Sequence, residues 1–444
     1  MKEEMSQVQE LEAKLEVLQM EYDELLETKT LSLMIGDLVL KSRKSIKSLL
    51  KMPFELLKLK QKYVNGEIKP KSSVGRTVLR NEQMLIEKDA VLFMATNGVG
   101  LGHLTRCLAV ARRMKEHLGT KKIVFLTTCP ALHLVRNEGF IPFYVPSKEM
   151  FKDNITSSQW DELLSTAFHD LFSLYEFGTI IFDGAIPYQS LAAVLEKNKH
   201  ITRIWIRRGS AKKGTQTARQ KSEDLFDYIL TPSEAGDEIP ANHEKSIFVE
   251  PIVYLNRNEL MSKADVRKNF GVSDTQKLIY VQLGAGKINN TENVLNTVIN
   301  LLLEDKENVI VIGQSPLGDL LNYVHERIII IKDYPNSKYF KGFDMAISAC
   351  GYNSFHELLY ANVPTVFLPN TNTGTDDQTA RALRSEKYGL GIVVDEPKSE
   401  KIRKAIQVLR SVAKNIKVDF NFNGSQQASD KILEITKKNL SRLY

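Results

Sequence analysis

The chain has 444 residues, a formal net charge of +6 and a hydrophobic fraction of 43%. This length exceeds what one ordinary hydrophobic core supports, so at least two folded domains are expected. No apolar run reaches the roughly 18 residues of a membrane-spanning helix, and the acidic N-terminal segment lacks the apolar stretch of a secretory signal. The three cysteines form no C-x-x-C pair, which predicts reduced thiols in a cytoplasmic protein.

Residues 1–30 are acidic, and their apolar side chains follow a strict 3.5-residue repeat. The repeat consists of Val8, Leu11, Leu15, Leu18, Tyr22 and Leu25. This pattern predicts a short coiled coil that makes the protein a homo-oligomer or pairs it with another helix. A single helix that packs on the rest of the protein is the alternative.

Residues 31–80 form a basic segment in which leucines alternate with lysines. The pattern predicts an amphipathic helix that Pro53 kinks or splits. Such a helix can lie at an anionic membrane surface, where each cation adds around 1 kcal/mol, or it can dock on its own protein. Because much of the excess positive charge is concentrated in this short segment, the sequence favours an anionic surface as partner over nucleic acid.

From Asp89 onward, short β-branched runs alternate with amphipathic helical segments in two series. The first series is AVLFMAT, KIVFLTT, FIPFYVP, TIIFDG and RIWIRR, and the second is KLIYVQLG, NVIVIG, RIIIIKDY, MAISA, PTVFLP and GIVVD. This alternation predicts an α/β fold with two doubly wound, Rossmann-like domains that face each other across a cleft. The predicted boundaries are 85–252 and 253–424, and a C-terminal helix over 425–444 packs back on the N-terminal domain.

A glycine-rich loop with the sequence NGVGLGH follows the first of these strands. It places Asn97, Gly100 and Gly102 at the carboxyl edge of a parallel sheet and at the start of a helix, where open α/β folds bind ligands. Glycines allow a ligand to approach the backbone closely, and a helix start favours negative charge. The G-x-G-x-G spacing and the absence of an acidic residue after the second strand argue against a dinucleotide site.

His103 lies in the first turn of the helix that follows this loop. The positive end of the helix dipole destabilises the imidazolium, so the ring is expected to be neutral and able to accept a proton. We therefore interpret His103 as a candidate general base, and a structural histidine is the alternative. Asp183, which ends the strand TIIFD at the same sheet edge, is the second candidate base, or else a loop cap.

The second domain contains the segment MAISACGYNSFHELLYANVPTVFLPNTNTGTDDQ. The start of its helix presents a hydroxyl and the backbone N–H groups of Gly351, Tyr352, Asn353 and Ser354. Such a helix start suits the binding of a diphosphate. One turn further on, Glu357 carries two oxygens that match the diol of a ribose. Asp377 and Gln378 precede the next helix and are candidates to bind sugar hydroxyls. A capping serine and a solvated acidic loop are the alternatives.

Together these motifs resemble a GT-B glycosyltransferase, closest in pattern to the peptidoglycan N-acetylglucosaminyltransferases of glycosyltransferase family 28. The resemblance runs from about Val91 to the C-terminus and rests on the loop histidine, LGAGK, G-x-x-S-x-x-E and P-x-x-x-x-P followed by Asp-Gln. It implies an inverting transfer from a nucleotide-diphosphate sugar, in particular a UDP-sugar, without a metal or further cofactor. It also implies a membrane-anchored glycan or glycolipid acceptor, an enzyme at the inner face of the membrane, and a role in bacterial cell-surface glycan synthesis.

The resemblance also implies roles for individual residues. The donor diphosphate would lie on Gly351, Tyr352 and Ser354, the ribose on Glu357, and the donor sugar on Asp377 and Gln378. The middle loop would add Gly284, Gly286 and Lys287, whereas His103 would lie beside the acceptor together with Asn97, Gly100 and Gly102. Where the family has a His-Glu-Gln segment, this chain has Arg207 and Arg208, which suit an anionic acceptor or are solvated loop residues.

Two other classes of function compete with a transferase. The segment GLGHLTRCLAVA also resembles the nucleotide-sugar hydrolase of pseudaminic acid biosynthesis, in which the histidine activates water. Sugar 2-epimerases share the architecture and match the motifs less well. A non-catalytic scaffold built on the coiled coil would not need the donor motifs, and failure to bind any nucleotide would favour it.

Overall fold

The computed structural model describes residue 38 and residues 46–64, 87–96, 100–119, 122–208, 221–284, 291–318, 320–373, 376–412 and 420–440. The chain divides into two compact units, Met1–Leu85 and Ile86–Tyr444. The predicted coiled coil over 1–30 and much of the basic segment over 31–80 lie outside the described residues.

In the first unit, the described part of the basic segment is one helix, α1 (Ile46–Val64), which continues through Pro53. Phe54 and Leu57 are 69% and 63% exposed. The lysines of the helix whose exposure is described, Lys51, Lys58, Lys60 and Lys62, are also exposed. Among the described residues, no helix is both long enough and apolar enough to cross a membrane.

The second unit contains two entirely parallel β-sheets. The first has the strand order β3-β2-β1-β4-β5-β6-β7 and the second the order β10-β9-β8-β11-β12-β13. The first sheet consists of β1 (Glu87–Ala95), β2 (Ile123–Thr127), β3 (Ile141–Tyr144), β4 (Tyr175–Asp183), β5 (Thr202–Ile206), β6 (Tyr228–Pro232) and β7 (Ser246–Val249). The second consists of β8 (Lys277–Gln282), β9 (Asn308–Gly313), β10 (Ile328–Ile331), β11 (Met345–Ser348), β12 (Thr365–Phe367) and β13 (Gly391–Val393).

All eleven predicted strand segments lie in these sheets, and the predicted α/β class with two Rossmann-like sheets is confirmed. Strands β6 and β7 were not predicted. β6 ends in Pro232, a residue that usually argues against a strand, and β7 has only four residues at the sheet edge.

Helices cover both faces of the sheets. In the first domain they are α2 (Gly102–Leu118), α3 (Leu132–Asn137), α4 (Ser157–Leu174) and α5 (Gln189–Lys197). In the second they are α6 (Lys263–Asn269), α7 (Thr291–Leu303), α8 (Tyr352–Tyr360), α9 (Gln378–Glu386) and α10 (Ser399–Val412). Short 3₁₀ turns span Lys148–Asn154, Glu223–Leu225, Arg257–Glu259 and Asn336–Gly342.

The last helix, α11 (Gly424–Leu440), packs against α2 and the first sheet. Thr436 Oγ1 lies 3.0 Å from Thr179 Oγ1, and the Ser425 hydroxyl donates to the carbonyl of Val253. A side chain at Gly424 would collide with the backbone of Glu250, so the entry of α11 requires glycine. The largest apolar cluster contains residues of both domains, and the two sheets therefore share one continuous core.

The cysteines are free and buried, as the sequence predicts. Cys107 lies on α2, Cys129 follows β2 and Cys350 follows β11. Burial raises the pKa of Cys107 and of Cys350 well above the ordinary range, so these thiols stay protonated.

Candidate active site

The carboxyl edges of the two sheets meet at one cavity of about 570 Å³. In the first sheet the strand order reverses between β1 and β4, and in the second it reverses between β8 and β11. Ligands of open α/β sheets bind at such switch points. The cavity is lined by the starts of α2 and α8 and by loops that follow β8, β9, β10 and β12.

Most of the predicted site residues that the structure describes line this cavity. They are Gly100, Gly102, His103, Arg208, Gly284, Gly351, Tyr352, Asn353, Ser354, Glu357 and Gln378. Asp183, Arg207 and Asp377 are described and do not line it. Asn97, Gly286 and Lys287 lie outside the described residues.

The imidazole of His103 is hydrogen-bonded to the buried carboxylate of Asp183. His103 Nδ1 lies 2.6 Å from Asp183 Oδ1. Arg106, one turn further along α2, donates from Nε to Asp183 Oδ2 over 2.8 Å and from Nη2 to Asp183 Oδ1 over 2.5 Å. Because an ionised carboxylate only accepts hydrogen bonds, His103 Nδ1 carries the proton and its Nε2 is left as the basic nitrogen.

Burial and neighbouring charges together set the protonation states of His103 and Asp183. Burial lowers the pKa of His103, and Asp183 only partly compensates, so the ring is neutral near pH 7. Burial alone would raise the pKa of Asp183, but Arg106 and His103 outweigh it and hold that pKa below the ordinary value. Asp183 is fully buried, which suits an orienting carboxylate better than one that exchanges protons with a substrate.

The starts of α2 and α8 both present backbone N–H groups that have no partner within the helix. The residues that precede their first turns, Leu101 and Gly351, make no side-chain cap to the helix. A helix start without a cap is a site for anions such as phosphate.

Several cavity glycines have no packing reason to be glycine. A Cβ atom added to Gly100, Gly102 or Gly351 would meet no other residue within 4 Å, and none of these three has a positive φ. Gly284 is also surrounded by open space, although its φ of +94° itself favours glycine. Because the protein does not fill the space beside these residues, the backbone is accessible to a bound molecule.

Glu357 lies one turn into α8 and lines the cavity. Burial raises its pKa to about 7, and the backbone N–H of Tyr254, which donates to Oε1 over 3.4 Å, only partly offsets this effect. The hydroxyl of Ser337, which lies beside this carboxyl, lowers the pKa slightly as well. Among the described residues no cation pairs with Glu357, so its carboxyl group can bind a ligand in the cavity.

The acidic pair that precedes α9 divides into two roles. Asp377 caps α9 by accepting a hydrogen bond from the N–H of Ala380 over 2.9 Å. Asp376 lines the cavity and forms ion pairs with Arg381 and with Arg208, at 2.7 Å and 2.9 Å. Gln378 lines the cavity and accepts from the N–H of Asn370 through Oε1.

The two arginines that follow β5 also differ. Arg207 forms an ion pair with Glu223 and stacks over Trp205, away from the cavity. Arg208 reaches the cavity and pairs with Asp376 of the second domain. Burial lowers the pKa of Arg208, and Asp376 counteracts this effect.

Tyr352 contributes its backbone to the start of α8, whereas its side chain lies in the interface between the domains. Its ring is flanked by the guanidinium groups of Arg106 and Arg381, at 5.4 and 5.5 Å from the ring centroid. Its hydroxyl donates to the carbonyl of Ser233 over 3.1 Å and accepts from the N–H of Ile252 over 3.2 Å.

Sequence reasoning missed four charged residues around the site, Arg106, Glu234, Asp376 and Arg381. Arg106 had a signal, because it follows His103 by one helical turn and therefore shares its face. Glu234 and Arg381 form an ion pair between the domains over 2.9 Å, with side chains that are 3% and 0% exposed. Residues 147 positions apart give no sequence signal for such a pair. In the described part of the chain, no group of three or more His, Cys, Asp and Glu residues could hold a metal ion.

Comparison with known proteins shows which family the second-domain side of the cavity resembles. Residues 283–437 match the model of the glycosyltransferase family 28 C-terminal domain. This segment is similar to that domain. The resemblance inferred from the motifs is thus confirmed, and the matched segment contains the start of α8, Glu357 and the Asp-Gln pair.

Two curated relatives are UDP-N-acetylglucosamine–N-acetylmuramyl-(pentapeptide) pyrophosphoryl-undecaprenol N-acetylglucosamine transferases. The chain is 30% identical to that of Thermotoga petrophila over 100 residues, which is 22% of this chain and 29% of the relative. It is 22% identical to that of Aquifex aeolicus over 186 residues, which is 40% of this chain and 53% of the relative. The chain therefore matches about three tenths and about half of these relatives' lengths.

Solved structures with the same fold include the calicheamicin glycosyltransferase CalG4, with a TM-score of 0.54 and 12% identity over 81% of this chain and 100% of that one. A UDP-GlcNAc 2-epimerase from Neisseria meningitidis, bound to UDP-GlcNAc, has a TM-score of 0.55 and 14% identity over 79% of this chain and 100% of that one. Both show that the second unit has the two-domain GT-B fold. The family match and the curated relatives support a glycosyltransferase.

Proposed function

We propose that the protein is a glycosyltransferase that moves a sugar from a nucleotide diphosphate to an acceptor hydroxyl. One observation carries this proposal: one cavity joins an imidazole–carboxylate pair at one switch point to an uncapped helix start and the carboxyl group of Glu357 at the other. A UDP-sugar is the proposed donor, since the curated relatives are named for transfer from UDP-N-acetylglucosamine.

The second domain would hold the donor. The diphosphate would accept hydrogen bonds from the N–H groups that begin α8, where open space beside Gly351 admits a phosphate. Glu357 would accept hydrogen bonds from the ribose diol. When the glycosidic C–O bond breaks, the diphosphate keeps the electron pair, and the helix start stabilises the charge that develops there. Asp376 and Gln378 line the same cavity and are the proposed contacts for the sugar hydroxyls.

The first domain would supply the base. Asp183 fixes the tautomer of His103, so Nε2 can accept the proton of the acceptor hydroxyl as its oxygen attacks the anomeric carbon. Attack from the face opposite the diphosphate inverts that carbon. Asp183 would remain ionised and orient the ring, which makes His103 the base and Asp183 its positioning partner.

The acceptor is proposed to be an anionic, membrane-anchored glycan or glycolipid. The exposed leucine, phenylalanine and lysine side chains of α1 suit an anionic bilayer surface. Arg208 lines the cavity, and an anionic acceptor would have to compete with Asp376 for it. Comparing co-sedimentation of the full chain and of a chain without residues 1–71 with phosphatidylglycerol vesicles tests this attachment. Equal pelleting of the two proteins would remove residues 1–71 from membrane binding.

The decisive test of the function is a thermal-shift screen across nucleotide sugars, followed by turnover of the donor that binds. A ligand that binds only the folded state raises the melting temperature. Glu357→Gln serves as the matched control, because it retains the shape of the side chain and loses its charge. Rapid consumption of the donor without any acceptor would support a hydrolase instead. Absence of a shift with every nucleotide would favour a scaffold.

A further inference from the structure

The first turn of α8 contacts the other half of the site as well as the proposed diphosphate. Asn353, the second residue of α8, extends across the cleft and donates from Nδ2 to the carbonyl of Gly102 over 3.2 Å. Gly102 is the first residue of α2 and directly precedes His103. One side chain thus joins the helix start proposed to bind the donor to the helix start that carries the proposed base.

The orientation of the Asn353 amide follows from this contact. The opposite orientation would place Asn353 Oδ1 against the carbonyl oxygen of Gly102, and two acceptors repel each other. In the observed orientation Oδ1 is buried and has no hydrogen-bond partner. The bond to Gly102 is therefore the contact that holds the amide in place, because Oδ1 contributes none.

Two other polar contacts join the domains at the cavity, between Thr105 Oγ1 of α2 and the Tyr334 hydroxyl and between Arg208 and Asp376, and neither binds the backbone beside His103. Further contacts lie elsewhere. The Tyr352 hydroxyl, the imidazole of His356 and the guanidinium of Arg381 all bind the loop that follows β6, at Ser233, Ala235 and Glu234. Arg384 pairs with Asp237 of the same loop over 3.0 Å. These contacts fix the domains to each other, whereas the Asn353 contact reaches the backbone beside His103.

We propose that Asn353 is a positioning residue that couples occupation of the donor site to the placement of His103. This inference rests on the proposed function for the assignment of donor and base. A diphosphate bound to the N–H groups of the first turn of α8 would order that turn and, through Asn353, would hold Gly102 and the first turn of α2. Asn353 and Asp183 hold the first turn of α2 and the imidazole without a ligand, and a bound donor would hold them more firmly relative to the anomeric carbon.

The first test needs no ligand. Hydrogen exchange of a peptide spanning residues 101–108 is compared in the wild type, in Asn353→Leu and in Arg384→Gln. We expect roughly two- to tenfold faster exchange in Asn353→Leu, the factor that corresponds to one neutral hydrogen bond. Arg384→Gln also removes a polar contact between the domains and should leave this peptide unchanged. Equal exchange in the wild type and Asn353→Leu would overturn the proposal, and Asn353→Ser repeats the test should the leucine variant be unstable.

The second test adds inorganic pyrophosphate or UDP. In the wild type, either ligand should slow exchange in 351–358 and in 101–108, whereas in Asn353→Leu it should slow only 351–358. Slowing of both peptides in Asn353→Leu would show that the coupling does not need Asn353. If neither ligand slows 351–358 in the wild type, the proposed donor site is wrong, and the ligand-free comparison still decides whether Asn353 holds α2.

A spectroscopic measurement separates positioning of the base from a general loss of structure. In ¹³C-histidine NMR titrations, Asn353→Leu should raise the pKa of His103 towards its ordinary value, because a looser first turn exposes the ring. The resonance of buried His356, on the same helix as Asn353, should not move. An unchanged His103 titration would contradict the proposal.

Discussion

Replacing Glu357 by glutamine should make the protein more stable at pH 8 and should strongly weaken its affinity for the donor nucleotide. The carboxyl group is held in a cavity where burial raises its pKa from 4.5 to about 7. An unfolded chain ionises this group near pH 4.5, whereas the folded protein retains the proton up to about pH 7. Stability from this group is therefore lost as the pH rises through that window.

The magnitude follows from the size of the shift. A displacement of one pKa unit corresponds to 1.36 kcal/mol, so ionisation of Glu357 destabilises the folded state by about 3 kcal/mol above pH 7. Glutamine fills the same space, can still accept from the N–H of Tyr254 and does not ionise. The free energies of unfolding of the two proteins should agree near pH 4 and differ by up to about 3 kcal/mol at pH 8, with the variant more stable.

Donor binding should show the opposite preference. If the ribose diol binds the ionised carboxylate, UDP affinity of the wild type should rise about tenfold between pH 6 and pH 8, as the ionised fraction grows from about one tenth to about nine tenths. Glu357→Gln should bind UDP weakly and show no such rise. Denaturant unfolding and calorimetry at pH 4, 6 and 8 measure both effects. A variant that is less stable at pH 8, or that binds UDP as the wild type does, would refute this account of the site.

Three further substitutions test the remaining parts of the site. His103→Ala should lower turnover by roughly 10²- to 10⁴-fold with little change in donor affinity, measured by initial rates and calorimetry, and an unchanged rate would remove His103 from the mechanism. Gly351→Ala should leave the melting temperature nearly unchanged, because the new methyl group meets no protein atom, and it should weaken UDP binding. Gly178→Ala is the control, since a Cβ there makes only ordinary contact with Asp89. Equal UDP affinity in both variants would contradict a phosphate-binding role for the start of α8. Arg106→Met should destabilise the protein by about 3–5 kcal/mol at pH 7 because it leaves the buried carboxylate of Asp183 unpaired. That loss should shrink as the pH falls and Asp183 takes up a proton, and a loss independent of pH would show that packing rather than charge is responsible.

The sequence predicted the sheets and the cavity because both depend on local pattern. Buried β-branched runs separated by helix-length segments specify parallel strands, and the residues that follow such strands meet at one edge. His103 and Glu357 were therefore found without any knowledge of which side chains face each other. The same rule placed Asp183 at the correct edge, since β4 ends at that residue.

The contacts that decide the role of each residue could not be read from the sequence. Arg106 and Asp183 are 77 positions apart, and the sequence does not show that the carboxylate binds the arginine and does not itself line the cavity. The Asp-Gln pair was predicted to contact sugar, yet the structure uses Asp377 as a helix cap and brings its neighbour Asp376 to the cavity. Both side chains precede a helix, and only the path of the loop decides which of them caps it.

The charges around the cavity bear on how an anionic donor would be held. Each arginine at the site has a carboxylate partner: Arg106 pairs with Asp183, and both Arg208 and Arg381 pair with Asp376. Cations that are already neutralised attract a diphosphate weakly. The field favourable to an anion, among the described residues, must then come chiefly from the backbone N–H groups at the starts of α2 and α8. Those groups are fixed by the helices before a ligand arrives, so they stabilise the departing diphosphate without any rearrangement at the moment of reaction.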